Sequence, residues 1–91
     1  MGKIILYGEL ARRAGTREIN IQTSGRTLLE LLHEISKKYG LEDILFRKNK
    51  VRPIFLIVID NKDYLSLGLL NTKIKGEKTI KIIPTVHGGS L

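Results

Sequence analysis

The sequence contains no cysteine, and that absence removes several classes of chemistry at once. It rules out a disulfide framework, a thiolate nucleophile and a cysteine-based zinc site. No uninterrupted apolar run approaches the roughly 20 residues that cross a bilayer, and no N-terminal apolar segment leads into a cleavage pattern. The expectation is a cytoplasmic protein without a membrane partner. With 91 residues there is room for one small domain with a modest core, and none for a second domain or a deep catalytic cleft.

Catalytic patterns are missing as well. His33 sits beside Leu32 on a helical stretch and lacks the spaced cysteine, histidine or carboxylate companions that a metal site requires. It reads as a boundary or surface histidine. Asp60 and Asp63 flank "DNKD" and read as turn-forming aspartates rather than an acid–base pair. Gly8 and Ser24-Gly25 do not fit the Gly-x-x-x-x-Gly-Lys-Ser/Thr spacing that cradles phosphates. No serine has a histidine and a carboxylate arranged around it. The reading is a non-enzyme with no bound cofactor and no metal.

Charge is plentiful and one-sided. Lys plus Arg number 16 against 9 Asp plus Glu, a formal net charge of +7. Such a surplus raises encounter rates with acidic partners. Its densest patch, "RKNKVR" at 47–52, has no interleaved aromatic residue to stack on bases. A solvated surface explains it better than a nucleic-acid site, which stays open as a minor alternative testable through Arg47, Lys48, Lys50 and Arg52.

The apolar pattern gives the elements. "KIILY" (3–7) reads as a strand, "GELARRAG" (8–15) as a link with a helical turn, and "TREINIQ" (16–22) as a half-buried strand with Ile19 and Ile21 on one side. "TLLELLHEISKKYG" (27–40) predicts a helix. Thr27 and Glu30 form a capping box, Leu28, Leu31, Leu32, Ile35 and Tyr39 make the apolar stripe, and Gly40 provides the stop. "LEDILFRKNKVR" (41–52) predicts a loop with one helical turn. "IFLIVID" (54–60) predicts a central strand buried on both sides, "DNKDY" (60–64) a turn leading to a short strand near Tyr64–Leu65, and "KTIKIIP" (78–84) the last strand. One long helix among more numerous strands predicts an α+β fold of β-grasp, ubiquitin-like type, a mixed curled sheet packed on that helix. Another small α+β sandwich or a ferredoxin-like domain are the alternatives. The domain is placed at 1–84 and a flexible C-terminal tail at 85–91.

That tail, "TVHGGSL", carries Gly88-Gly89. Two residues without β-carbons thread a narrow channel, and a carboxylate at Gly89 would be open to activation. Terminal glycines can equally be a frayed end.

Three stretches together, "KIILYGELARRAG", "TLLELLHEISKKYG" and "KGEKTIKIIPTVHGG", resemble the ubiquitin-like sulfur-carrier superfamily. Within it, "VRPIFLIVIDNKDYLSLG" (51–68) and "IIPTVHGG" (82–89) look most like the ubiquitin-related modifier branch. The resemblance implies that Gly89 is adenylated with ATP by a ubiquitin-activating-type enzyme. Sulfur from a rhodanese-like sulfurtransferase then converts it to a thiocarboxylate. The sulfur would pass through a tRNA thiolase to uridine, and the same glycine could be joined to target-protein lysines. In the molybdopterin synthase branch the acceptor would instead be the cofactor dithiolene, with the tail inserted in the large subunit. Gly88 would allow passage of the tail, while Val86 and His87 would contact the partner. Arg52 and Pro53 would shape the approach to the central strand. A docking surface would lie on the sheet face away from the helix, with Phe46 and Ile83 as candidates and ordinary core as their alternative.

Ser90 and Leu91 depart from this pattern, because with them in place the Gly89 carbonyl is an ordinary amide. Trimming by a peptidase is the favoured reading. An inactive precursor or a non-covalent ubiquitin-like interaction module are the others. A small domain with a tail implies a monomer that forms transient complexes.

Overall fold

The computed structural model describes residues 1–63 and 70–85, without the side chain of Asp63. The chain begins with β1 (Gly2–Leu6), whose alternation turns Ile4 and Leu6 inward, where both are fully buried. Gly8, at φ 58, takes the chain straight into α1 (Gly8–Ala14), and Gly15 closes this helix in the left-handed conformation. The chain returns as β2 (Glu18–Ile21), antiparallel to β1 with Ile4 opposite Ile19. Ile19 and Ile21 both face the core.

Helix α2 (Leu28–Tyr39) has the ends that its sequence predicts. The Thr27 hydroxyl accepts from the Glu30 amide at 3.0 Å, and Glu30 Oε1 accepts from the Thr27 amide at 2.9 Å. Leu28, Leu31, Leu32 and Ile35 are buried, and Gly40 at φ 70 ends the helix. Immediately afterwards come α3 (Glu42–Leu45) and a hairpin of β3 (Phe46–Arg47) and β4 (Lys50–Val51). Then follow β5 (Phe55–Ile59), β6 (Lys62–Asp63) and β7 (Thr79–Pro84).

The main sheet runs β2-β1-β7-β5-β6. β7 pairs parallel with β1 and antiparallel with β5, so the last strand is the middle one. The helices and the inward side chains of all the longer strands enclose one core, in which Ile57, Ile80 and Ile82 are buried. A single carboxylate ties three strand ends together. Glu77 Oε1 accepts from the amides of Gly2 at 2.7 Å and Thr23 at 3.1 Å, and Oε2 accepts from Ser24 at 3.1 Å. Close packing here requires Gly2, because a β-carbon would meet the Lys78 carbonyl oxygen at 2.6 Å.

The result is a β-grasp-like α+β fold, with two corrections to its predicted form. The sheet does not curl over one long helix. Among the described residues it is open, with β2 and β6 at its edges and no pairing between them, and three helices accompany it. Gly8 converts the first link into a seven-residue helix that buries Leu10, while Leu41 and Leu45, both fully buried, pin α3 after the Gly40 stop. The second correction concerns β5, which is one-sided rather than buried on both faces. Phe55, Ile57 and Ile59 point inward, whereas Leu56 and Val58 are half-exposed.

The stretch predicted as loop at 46–51 is instead a hairpin, turning through Lys48 (φ 53) and Asn49 (φ 65). The turn at Asp60-Asn61 is present, with both residues at positive φ, and β6 starts at Lys62. The short strand expected near Tyr64–Leu65 lies outside the described residues. So does the tail from Val86 onward.

Candidate functional site

The last described residue is Thr85, the first of the stretch expected as tail, and it is held firmly. Its amide donates to the Ile54 carbonyl at 2.9 Å, and its hydroxyl donates to the same oxygen at 2.8 Å. The tail is therefore launched from the end of the middle strand, beside the residue that precedes β5. Val86, His87, Gly88, Gly89, Ser90 and Leu91, on which the sequence places the reactive end, are outside the described residues.

The structure separates the two candidate docking residues. Ile83 stands on the sheet face opposite the helices, because Ile80 and Ile82 of the same strand point inward. Phe46 stays on the helix side. Its ring stacks on His33 of α2, with centroids 4.3 Å apart and 12° between the planes. This contact accounts for His33 as a packed boundary residue. Among the described residues no cluster of His, Cys, Asp or Glu forms a metal site.

Around Ile83 the strand register assembles a surface that residue-by-residue reading missed. Leu56 lies opposite Ile83, Val58 opposite Lys81, and Ile5 opposite Lys81 on the other side. All these side chains are half-exposed. The outer face is thus an apolar band, Ile5, Leu56, Val58 and Ile83, crossed by Lys81 and bordered by Lys3, which pairs with Glu18 at 2.8 Å. The signal was present in "IILY" (4–7) and "IFLIVI" (54–59), unbroken apolar runs on two strands under a helical layer that covers one face.

Arg52 is anchored at the approach to β5. The Arg52 amide donates to the Leu45 carbonyl at 2.9 Å, and its guanidinium reaches the Ile44 carbonyl at 3.4 Å. Asp60 is a turn residue whose Oδ1 accepts from the Thr79 amide at 3.3 Å. The Glu77 carboxyl is held below the ordinary glutamate range. The cause is first the Thr23 amide, against a smaller opposing effect of desolvation, with the Gly2 and Ser24 amides and the amino terminus adding to it. Its role is to fasten strands. No helix among the described residues is long and apolar enough to cross a membrane.

The sequence profile of the ThiS family matches residues 4–89, ending on the second glycine of the pair. The chain belongs to the ThiS family. Proteins of this family act as sulfur-carrier substrates rather than as enzymes. The crystal structure of Sulfolobus solfataricus Urm1 is 34% identical, covers 90% of this chain and 97% of its own, and superposes with a TM-score of 0.67. The solution structure of small archaeal modifier protein 1 from Methanosarcina acetivorans is 28% identical over 96% of this chain and 94% of its own, with a TM-score of 0.81. Ubiquitin-related modifier 1 homolog of Drosophila simulans is 27% identical over 90 residues, 97% of this chain and 86% of the relative. This ThiS-family chain therefore shares both fold and sequence with ubiquitin-related modifiers, as its "VRPIFLIVIDNKDYLSLG" and "IIPTVHGG" stretches predict.

Proposed function

We propose that this ThiS-family chain carries sulfur on Gly89 for 2-thiolation of tRNA uridine, with joining to protein lysines as a second use of the same glycine. The observation that carries the reading is the family match running through Gly88 and Gly89, in a chain 34% identical to an archaeal Urm1. Removal of Ser90 and Leu91 by a peptidase would expose the Gly89 carboxylate. A ubiquitin-activating-type enzyme would join that carboxylate to AMP, releasing pyrophosphate from ATP. Persulfide sulfur from a rhodanese-like domain would then displace AMP, and reductive cleavage of the resulting acyl disulfide by a thiol would leave the thiocarboxylate. Gly88 presents no side chain to the channel, and Val86 and His87 would line the approach. The outer-face band around Ile83 would meet the enzyme, and Lys3 and Lys81 would favour an acidic counterpart. The proposed setting is the cytoplasm.

The test is intact-mass spectrometry of the protein from its native cells. A mass ending at Gly89, heavier by the difference between one sulfur and one oxygen, is expected. A population that uniformly retains Ser90 and Leu91, without adducts, overturns the carrier reading. It would leave a non-covalent interaction module, which the outer apolar face favours because it needs no tail chemistry. Deleting the gene resolves the destination: loss of 2-thiouridine from tRNA is expected, and loss of molybdopterin alone would reassign it.

A further inference from the structure

The hairpin β3–β4 and the approach to β5 line an open groove of about 480 Å³, within the size range of ligand-binding clefts. Its lining is Val51, Pro53 and Ile54 together with Arg47, Lys48, Lys50 and Arg52. The walls are thus an apolar floor and a rim of four cations. Arg47, Lys48 and Lys50 are exposed and Arg52 is half-buried. The five ion pairs among the described residues engage Lys3, Arg12, Arg13, Arg26 and Lys78, and none involves this rim.

The turn that presents the rim points the same way. Lys48 and Asn49 both have positive φ, as a two-residue hairpin turn of this hand requires. Asparagine, aspartate or glycine suit the first of those positions, and an unbranched cationic chain there is held against its backbone preference. Ile54, which forms part of the floor, also accepts both hydrogen bonds from Thr85. Whatever fills the groove therefore sits next to the root of the tail.

We infer that this groove docks an acidic segment of a partner protein, its carboxylates on the Arg47, Lys48, Lys50 and Arg52 rim and an aliphatic or aromatic side chain on the Val51, Pro53 and Ile54 floor. Charge complementarity selects an acidic occupant, and the floor selects a peptide over a nucleic acid. Among the described residues no aromatic side chain lines the groove to stack on a base. Phosphates alone would leave the apolar floor unused. The inference is independent of the chemistry proposed for Gly89.

The probe is a fluorescein-labelled peptide alternating glutamate with leucine, titrated into the full 15N-labelled chain at two salt concentrations. Polyglutamate of the same length and a single-stranded RNA serve as comparisons. Saturable binding is expected, with amide shifts confined to residues 47–52, Ile54 and Thr85 and affinity falling as salt rises. Lys48→Gln with Lys50→Gln, both at exposed positions, should weaken binding about three- to tenfold. Lys48→Asn should weaken it while raising the thermal midpoint, which separates loss of the cation from loss of fold. Polyglutamate binding as tightly as the alternating peptide would remove the floor from the argument and overturn the proposal. So would shifts located elsewhere, unchanged affinity in the double variant, or RNA binding the groove more tightly than the peptide at equal salt.

Discussion

Ile82 and Ile83 are neighbours in one strand with identical side chains, yet the first is fully buried and the second half-exposed. The same division runs along β1, between Ile4 and Ile5, and along β5, between Ile57 and Val58. On the inner face isoleucine is fixed by α2 and its neighbours. On the outer face an equally apolar set is displayed beside Lys3 and Lys81. Apolarity on the two faces serves different ends: one holds the domain together, and the other is, in the proposed reading, the surface offered to a partner.

The contrast is broken most strongly from inside. Ile82→Ala should destabilise the domain by about 2–5 kcal/mol, from lost burial plus the cavity left behind, as measured by urea unfolding. Thr27→Ala, which weakens the start of the helix covering that face, should cost about 1 kcal/mol in the same assay.

Glu77 gives a smaller, pH-dependent effect. Its carboxyl titrates lower in the folded chain than in the unfolded one, so the charged form favours folding. That contribution is complete above the ordinary glutamate range and is lost as the pH falls through the depressed folded value. Glu77→Gln should therefore flatten the acid limb of a stability–pH profile. Smallest in stability is Ile83→Ala, within about 1 kcal/mol of the parent. It should nevertheless slow adenylation by the activating enzyme, whereas an equal slowing by a surface change far from this face would erase the contrast.

Legibility in the sequence followed how local each cause was. The capping box at Thr27 and Glu30, the leucine spacing and Gly40 all lie within one stretch, so α2 was readable to its ends. The β3–β4 hairpin was not, because Lys48-Asn49 lacks the usual turn signature. β5 was read as buried twice over, since periodicity records that a residue is apolar and not what covers it. The central position of β7 is a matter of long-range pairing, which no window reveals. Gly88 and Gly89 stood out by composition and by the resemblance of the surrounding stretches. The outer apolar face did not, because Ile5, Leu56 and Ile83 meet only through register.

The tail leaves from a strand clasped on both sides, and this has a mechanical consequence. β7 runs parallel to β1, so a pull applied beyond Thr85 against the N-terminal strand loads their hydrogen bonds together, in shear. They do not open one at a time from an end. An enzyme that drew the C-terminus into its channel would therefore tug along the most resistant direction of the sheet. On the proposed function, the domain would stay folded as a handle while its end is worked upon.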